Sequence, residues 1–87
     1  MKKNVLITGS STGIGFAIAK KFAEKGHNIF LVSKNKKRLT TALKKIENLN
    51  NKIKCDIYSC DLSNKKTPDN IYKISMKKFN KIDVLIN

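Results

Sequence analysis

The spacing of apolar residues changes period several times along the chain, and each change marks an element. Val5-Leu6-Ile7-Thr8 is an unbroken run that stops at Gly9, the pattern of a strand covered on both faces of a parallel sheet. From Ile14 the spacing turns helical. Ile14, Ile18 and Phe22 recur in steps of four with Ala19 and Ala23 beside them, and Lys20, Lys21, Glu24 and Lys25 supply a polar face. Gly26 stands where a C′ glycine ends a helix. Asn28-Ile29-Phe30-Leu31-Val32-Ser33 reads as a second buried strand. Leu39, Ala42, Leu43, Ile46 and Leu49 then repeat with amphipathic spacing, predicting a helix over 36–48 that Asn50-Asn51 breaks. Residues 53–60 alternate, with Ile53, Cys55 and Ile57 on one side, as a third strand does. Thr67-Pro68-Asp69 reads as a helix start, with Thr67 as hydroxyl N-cap, Pro68 at N1 and an acid in the first turn. Ile71, Ile74, Ser75 and Phe79 give that helix its buried face, and Asp83 to Asn87 opens a fourth strand.

The order is β-α-β-α-β-α-β. Strands separated by helices of about 10–15 residues require right-handed crossovers and a parallel sheet, so the class is α/β. No repeat, low-complexity tract or linker interrupts it.

One connection carries chemistry. Thr8-Gly9-Ser10-Ser11-Thr12-Gly13-Ile14-Gly15 joins the first strand to the first helix. Gly9 allows a sharp turn out of the strand. Gly13 removes a side chain where backbone must approach a pyrophosphate, and Gly15 lets the helix pack closely. The helix N-terminus offers unpaired N–H groups and partial positive charge to phosphates, and Ser10, Ser11 and Thr12 add hydroxyls. A ligand-free strand–helix turn is the bland alternative; the position of the loop within a β-α-β unit argues against it.

Composition alters this picture little. The 87 residues allow one small domain. Apolar runs of about five residues fall far short of the roughly twenty that span a bilayer, and the apolar start is too short for a signal peptide. A soluble, cytoplasmic protein without membrane association is the expectation. Cys55 and Cys60 read as small buried hydrophobes, because a disulfide framework or a metal site needs more ligands than these and His27, the only histidine. The formal charge of +13 suggests nucleic acid first. Yet Arg38 is the only arginine among 19 basic residues, and the lysines are spread over every segment. A solvated lysine-rich surface accounts for that, and no nucleic-acid partner is expected.

The spacing Thr-Gly-x-x-x-Gly-Ile-Gly resembles the signature of the short-chain dehydrogenase/reductase family. Three further segments fit it in order: Ser33-Lys34 closing the second strand, Asp61-Leu62 closing the third, and Asp83-Val84-Leu85-Ile86-Asn87, whose asparagine matches the first of the family's Asn-Asn-Ala-Gly. Taken alone, Asp61 could simply cap the turn after the strand. The resemblance implies a partial Rossmann-type sheet in strand order 3-2-1-4 with helices on both faces. It also implies that 1–87 are the N-terminal part of a single NAD(P)-binding domain, truncated within or at the end of the fourth strand. The implied cofactor contacts are Gly9, Ser10, Ser11, Thr12, Gly13, Ile14 and Gly15, then Ser33 and Lys34, Asp61 and Leu62, and Asn87.

An acid about twenty residues past such a loop binds the ribose 2′-hydroxyl in NAD-preferring sites. Here Ser33 takes that place, followed by Lys34, which would accept a 2′-phosphate. Lys36, Lys37 and Arg38 are read as a solvated first helical turn. NADP(H) is therefore expected over NAD(H). The resemblance implies catalysis by a serine and a Tyr-x-x-x-Lys pair acting on a carbonyl or alcohol substrate, in a homo-oligomer. Neither tyrosine fits, since Tyr58 is followed four residues on by Leu62 and Tyr72 by Met76. The chain holds no catalytic set and no metal ligands by this reading, and by itself should be inactive. A non-catalytic NAD(P)-binding regulatory or sensor module is the alternative.

Overall fold

Burial on both faces places the two most apolar strands at the centre. The computed structural model describes all 87 residues. In it, β1 (Asn4–Thr8) and β2 (Asn28–Ser33) lie side by side, with β3 (Cys55–Ser59) and β4 (Val84–Ile86) at the two edges. Every pairing is parallel, as the element order predicts, and the strand order is β3-β2-β1-β4, as the family resemblance implies. Val5 lies opposite both Ile29 and Val84, and Ile29 opposite Cys55.

Alternation along each central strand divides the core in two. Val5, Ile7, Ile29 and Leu31 meet Ala19 and Ala23 of α1 (Gly13–Glu24) and Leu39, Ala42 and Ile46 of α2 (Lys36–Leu49). Leu6, Phe30 and Val32 meet Phe79 of α3 (Thr67–Phe79) on the other face. Each large side chain so buried contributes roughly 1.5–3 kcal/mol. The Phe30 and Phe79 rings add a tilted contact with centroids 5.4 Å apart. The helices divide this way because right-handed crossovers from β1 to β2 to β3 fall on one face, and the return from β3 to β4 falls on the other.

Local signals set most of the boundaries. Gly26 sits at φ 88°, with its N–H bonded to the Ala23 carbonyl and that of His27 to the Phe22 carbonyl, the paired bonds of a Schellman end. Asn35 caps α2 by accepting the Arg38 N–H at 3.0 Å.

Several expectations need correction. Ile14 does not head the buried face of α1 but is 81% exposed. The helix begins beyond the end of β1, so its first turn has no sheet beneath it, and the small Ala19 and Ala23 make the close contact instead. Leu49, the last residue of α2, is also exposed, so the buried stripe of that helix stops at Ile46. Thr67 is not the N-cap of α3: Lys66 precedes the helix, no side chain caps it, and Pro68 is its second residue. The buried Thr67 hydroxyl instead donates to the Asp61 carbonyl at 2.6 Å, closing the β3–α3 connection. The third strand is shorter than 53–60 and leaves Cys60 just beyond it, and both Cys55 and Cys60 are only half-buried at this edge of the sheet. Burial against the α2 face still pushes the Cys55 thiol up to about 12, with Glu47 and Asp56 adding to the shift. No helix is long and apolar enough to cross a membrane.

Candidate functional site

All four strands point their C-terminal ends the same way, so the connections leaving them gather along one edge of the sheet. The β1–α1 loop is the tightest of these. Gly9 and Gly13 adopt φ of 61° and 63°, the left-handed region that costs other residues roughly 1–2 kcal/mol. Between them the chain doubles back so far that a Cβ on Gly15 would stand 2.6 Å from the Gly9 carbonyl oxygen and 3.0 Å from Ser10 Cα. Gly15 is therefore required by its own loop's backbone rather than by the sheet. Thr12, extended at φ −148°, precedes α1 without a side-chain cap, and the first turn carries no acid. The opening N–H groups of α1 thus face the loop unanswered, which suits an anion. This glycine cradle fits a pyrophosphate.

The three hydroxyls of the loop have different partners. Ser10 is buried, donating to the Ile7 carbonyl at 2.7 Å and accepting the Val32 N–H at 3.2 Å. It staples the ends of β1 and β2 together, a role its sequence context did not reveal. Ser11 Oγ lies 3.2 Å from Ser33 Oγ, so two residues 22 positions apart form one rim. The Thr12 side chain is exposed.

The remaining predicted residues extend this rim across the sheet. On the β4 side, Thr8 Oγ1 lies 3.2 Å from Asn87 Oδ1 and 3.4 Å from the Ile86 carbonyl oxygen. On the β3 side, Lys34 Nζ reaches to 3.9 Å from Asp61 Oδ2. Asp61 Oδ1 accepts both the Ser63 hydroxyl at 2.7 Å and the Ser63 N–H at 2.9 Å. These bonds, with a smaller contribution from Lys34, hold its carboxyl below the usual range. Asp61 thus does cap a turn, while keeping a place on the rim.

Two clefts flank this row. The first, about 530 Å³, lies between the start of α1 and α2 and is lined by Ser11, Thr12, Gly13, Phe16, Asn35, Lys37, Arg38, Thr41, Ala42 and Lys45. Lys37 and Arg38, which read as solvated positions, face it. Asn35, Thr41 and Lys45 were not singled out by sequence, although the spacing 38, 41, 45 marks one helical stripe. The second, about 440 Å³ and mainly apolar, lies between α3 and β4; Leu62 and Asn87 line it with Leu6, Ile71, Tyr72, Met76 and Leu85. Lys34 and Asp61 line neither.

A parallel α/β sheet with a phosphate-fitting glycine loop at its carboxyl edge defines a dinucleotide-binding protein of the doubly wound type. Comparison with known proteins narrows this. Residues 3–87 match the short chain dehydrogenase family, and the chain belongs to it, a family of oxidoreductases. It is 34% identical over 86 residues to a probable 2,4-dienoyl-CoA reductase of Bacillus subtilis, covering 99% of this chain and 33% of that protein. L-sorbose reductase from Gluconobacter frateurii, solved with NADPH and L-sorbose, superposes with a TM-score of 0.93 at 31% identity, over 99% of this chain and 32% of that one. An NAD+-bound xylitol dehydrogenase gives 0.89 at 29% identity, over 95% and 31%. The chain spans about a third of the length of the relatives it matches.

Proposed function

We propose that residues 1–87 are the N-terminal part of a single NAD(P)-binding domain, and that they hold the adenosine and pyrophosphate of NADP(H) in preference to NAD(H). The whole protein then acts on a carbonyl/alcohol pair. The cradle formed by Gly9, Gly13 and Gly15 carries this reading, because the Gly15 approach to Gly9 leaves space for nothing but hydrogen. In it the uncapped N-terminus of α1 binds the pyrophosphate, and the Ser11–Ser33 rim lies under the adenosine ribose. Bound nicotinamide supplies or accepts the hydride. The chain contains no Tyr-x-x-x-Lys, so the group that moves the substrate proton belongs to the rest of the protein, and these 87 residues bind without turnover.

Solved relatives carry NADPH in one case and NAD+ in another, so the preference rests on this chain's own residues. At the end of β2 stands Ser33, with no carboxylate to repel a 2′-phosphate, and its hydroxyl is already paired with Ser11. Calorimetric titration of the chain tests both parts. NADP+ should bind about tenfold tighter than NAD+, or about 1.4 kcal/mol, and Ser33→Asp should invert the order. Tighter NAD+ binding by the unaltered chain refutes the preference, and binding of neither dinucleotide refutes the function.

A further inference from the structure

We infer that Ser10 acts on the dinucleotide without touching it. Its hydroxyl is a positioning group that fixes the glycine cradle against the end of β2, so that pyrophosphate and ribose are held at one set spacing. The inference rests on the dinucleotide reading above and deepens it, and it removes Ser10 from the cofactor contacts that the family resemblance implies.

Ser10 is 0% exposed, so its hydroxyl is out of reach of a ligand lying in the loop. Every bond it makes is to backbone. The hydroxyl donates to the Ile7 carbonyl at 2.7 Å, accepts the Val32 N–H at 3.2 Å and lies 3.5 Å from the Val32 carbonyl oxygen. These groups stand where the pairing of β1 with β2 ends, since Thr8 opposite Val32 is the last pair in register. Ser11, the next residue of the loop, meets Ser33, the next residue of β2, at 3.2 Å. Two consecutive loop residues are thus bonded to two consecutive strand residues, and two such points fix direction as well as distance.

Contact fixes the helix side of the same junction. A Cβ on Gly15 would come within 3.0 Å of Ser10 Cα, so the first turn of α1 rests directly on the Ser10 backbone. Ser10 therefore stands between the uncapped N-terminus of α1 and the Ser33 end of β2. Gly9 and Gly13, at φ 61° and 63°, flank the segment, and glycine is the residue least able to hold a loop by its own backbone preference. The Ser10 hydroxyl supplies that restraint. Without it the Ile7 carbonyl and the Val32 N–H are each a partner short, and the loop can shift on its glycines. A ligand that spans cradle and rim then loses the benefit of a pre-organised site, whereas a ligand held by the cradle alone follows the loop and loses little.

The test is titration of the unaltered chain, Ser10→Ala and Ser10→Cys with NADP+, NAD+ and inorganic pyrophosphate, read from amide NMR shifts, with urea denaturation to establish that each is folded. Ser10→Ala should weaken both dinucleotides about tenfold and pyrophosphate less than about twofold. Ser10→Cys, which keeps a weak donor and acceptor, should lie between Ser10→Ala and the unaltered chain. Because Ser10 acts through the rim, Ser10→Ala combined with Ser33→Ala should weaken NADP+ by less than the product of the two single losses. A merely structural role would lower the denaturation midpoint and leave these binding ratios where they were. Unchanged dinucleotide binding in Ser10→Ala overturns the inference and leaves the dinucleotide reading standing. Equal losses for pyrophosphate and dinucleotides, or losses that multiply in the double variant, do the same. So does Ser10→Cys binding less tightly than Ser10→Ala, which would make bulk the cause. Should Ser10→Ala not fold, the difference between dinucleotides and pyrophosphate is read in Ser10→Cys by the same criteria. Failure of the unaltered chain to bind either dinucleotide overturns the inference and the reading together.

Discussion

The two ends of the sheet are closed by similar short polar side chains put to different uses. At the N-terminal end Asn4 donates through its amide to the Phe79 and Lys81 carbonyls and accepts from Asn28, which in turn accepts the Lys54 N–H. Asp83 accepts the Asn4 N–H at 2.8 Å and returns its own N–H to the Asn4 carbonyl. Side-chain amides and one carboxylate thus run across all four strands and consume the backbone groups there. At the C-terminal end, by contrast, the hydroxyls of Thr8, Ser10, Ser11 and Ser33 bond mostly to strand ends and to each other, and the N-terminus of α1 is left uncapped. Saturated hydrogen bonding makes the first end a clamp. Unsatisfied donors make the second a receptor, at the edge where open parallel sheets place their ligands.

Substitutions at the two ends should therefore separate stability from binding. The largest effect belongs to Gly15→Ala, whose new Cβ has backbone rather than a flexible side chain in its way. Dinucleotide binding should fall by about a hundredfold, the equivalent of about 2.7 kcal/mol, with about 1–3 kcal/mol of stability lost to overpacking. Titration and urea denaturation measure the two, and a variant that binds normally would break the assignment of the cradle. Asn4→Ala should do the reverse. It strands the Phe79 and Lys81 carbonyls and the Asn28 amide, at a cost of about 1–3 kcal/mol, and the dissociation constant of NADP+ for the folded fraction should stay within about twofold.

The smallest effect is in the acid limb of stability. The Asn4 N–H, with Lys81 and Lys3 nearby, holds the Asp83 carboxyl below its ordinary value. A carboxyl depressed in the folded state stabilises above its unfolded pKa of about 3.9, and that contribution disappears as pH falls through the lower folded value. Stability of the unaltered chain should thus drop below about pH 4 more steeply than that of Asp83→Asn. Parallel slopes in denaturant titrations would show that Asp83 is no part of the clamp.

Legibility followed the range of the interaction responsible. The seven elements and the glycine end of α1 were readable because hydrophobic period and helix breaks are properties of contiguous residues, whereas the order of the strands came from the resemblance to the family. Ile14 misled because its spacing is helical whether or not a sheet lies beneath the first turn. Thr67 misled because a threonine before proline satisfies the capping rule, while its hydroxyl found the Asp61 carbonyl six residues back. Ser10 gave no sign of facing inward, since its partner, the Val32 N–H, is 22 residues away.

From the chain alone came the architecture and the glycine loop, because period, handedness and the need for positive φ are local demands that particular residues meet or fail. Folding in three dimensions decided which side chains come together at that edge of the sheet. The Ser11–Ser33 rim, the Lys34–Asp61 pair and the cationic wall of Lys37 and Arg38 bring together groups from different crossovers, and their separation in space depends on how closely α1 and α2 pack upon the sheet. Ala19 and Ala23 set that closeness through their lack of bulk, and only the packed molecule converts small side chains into a cleft of a definite shape.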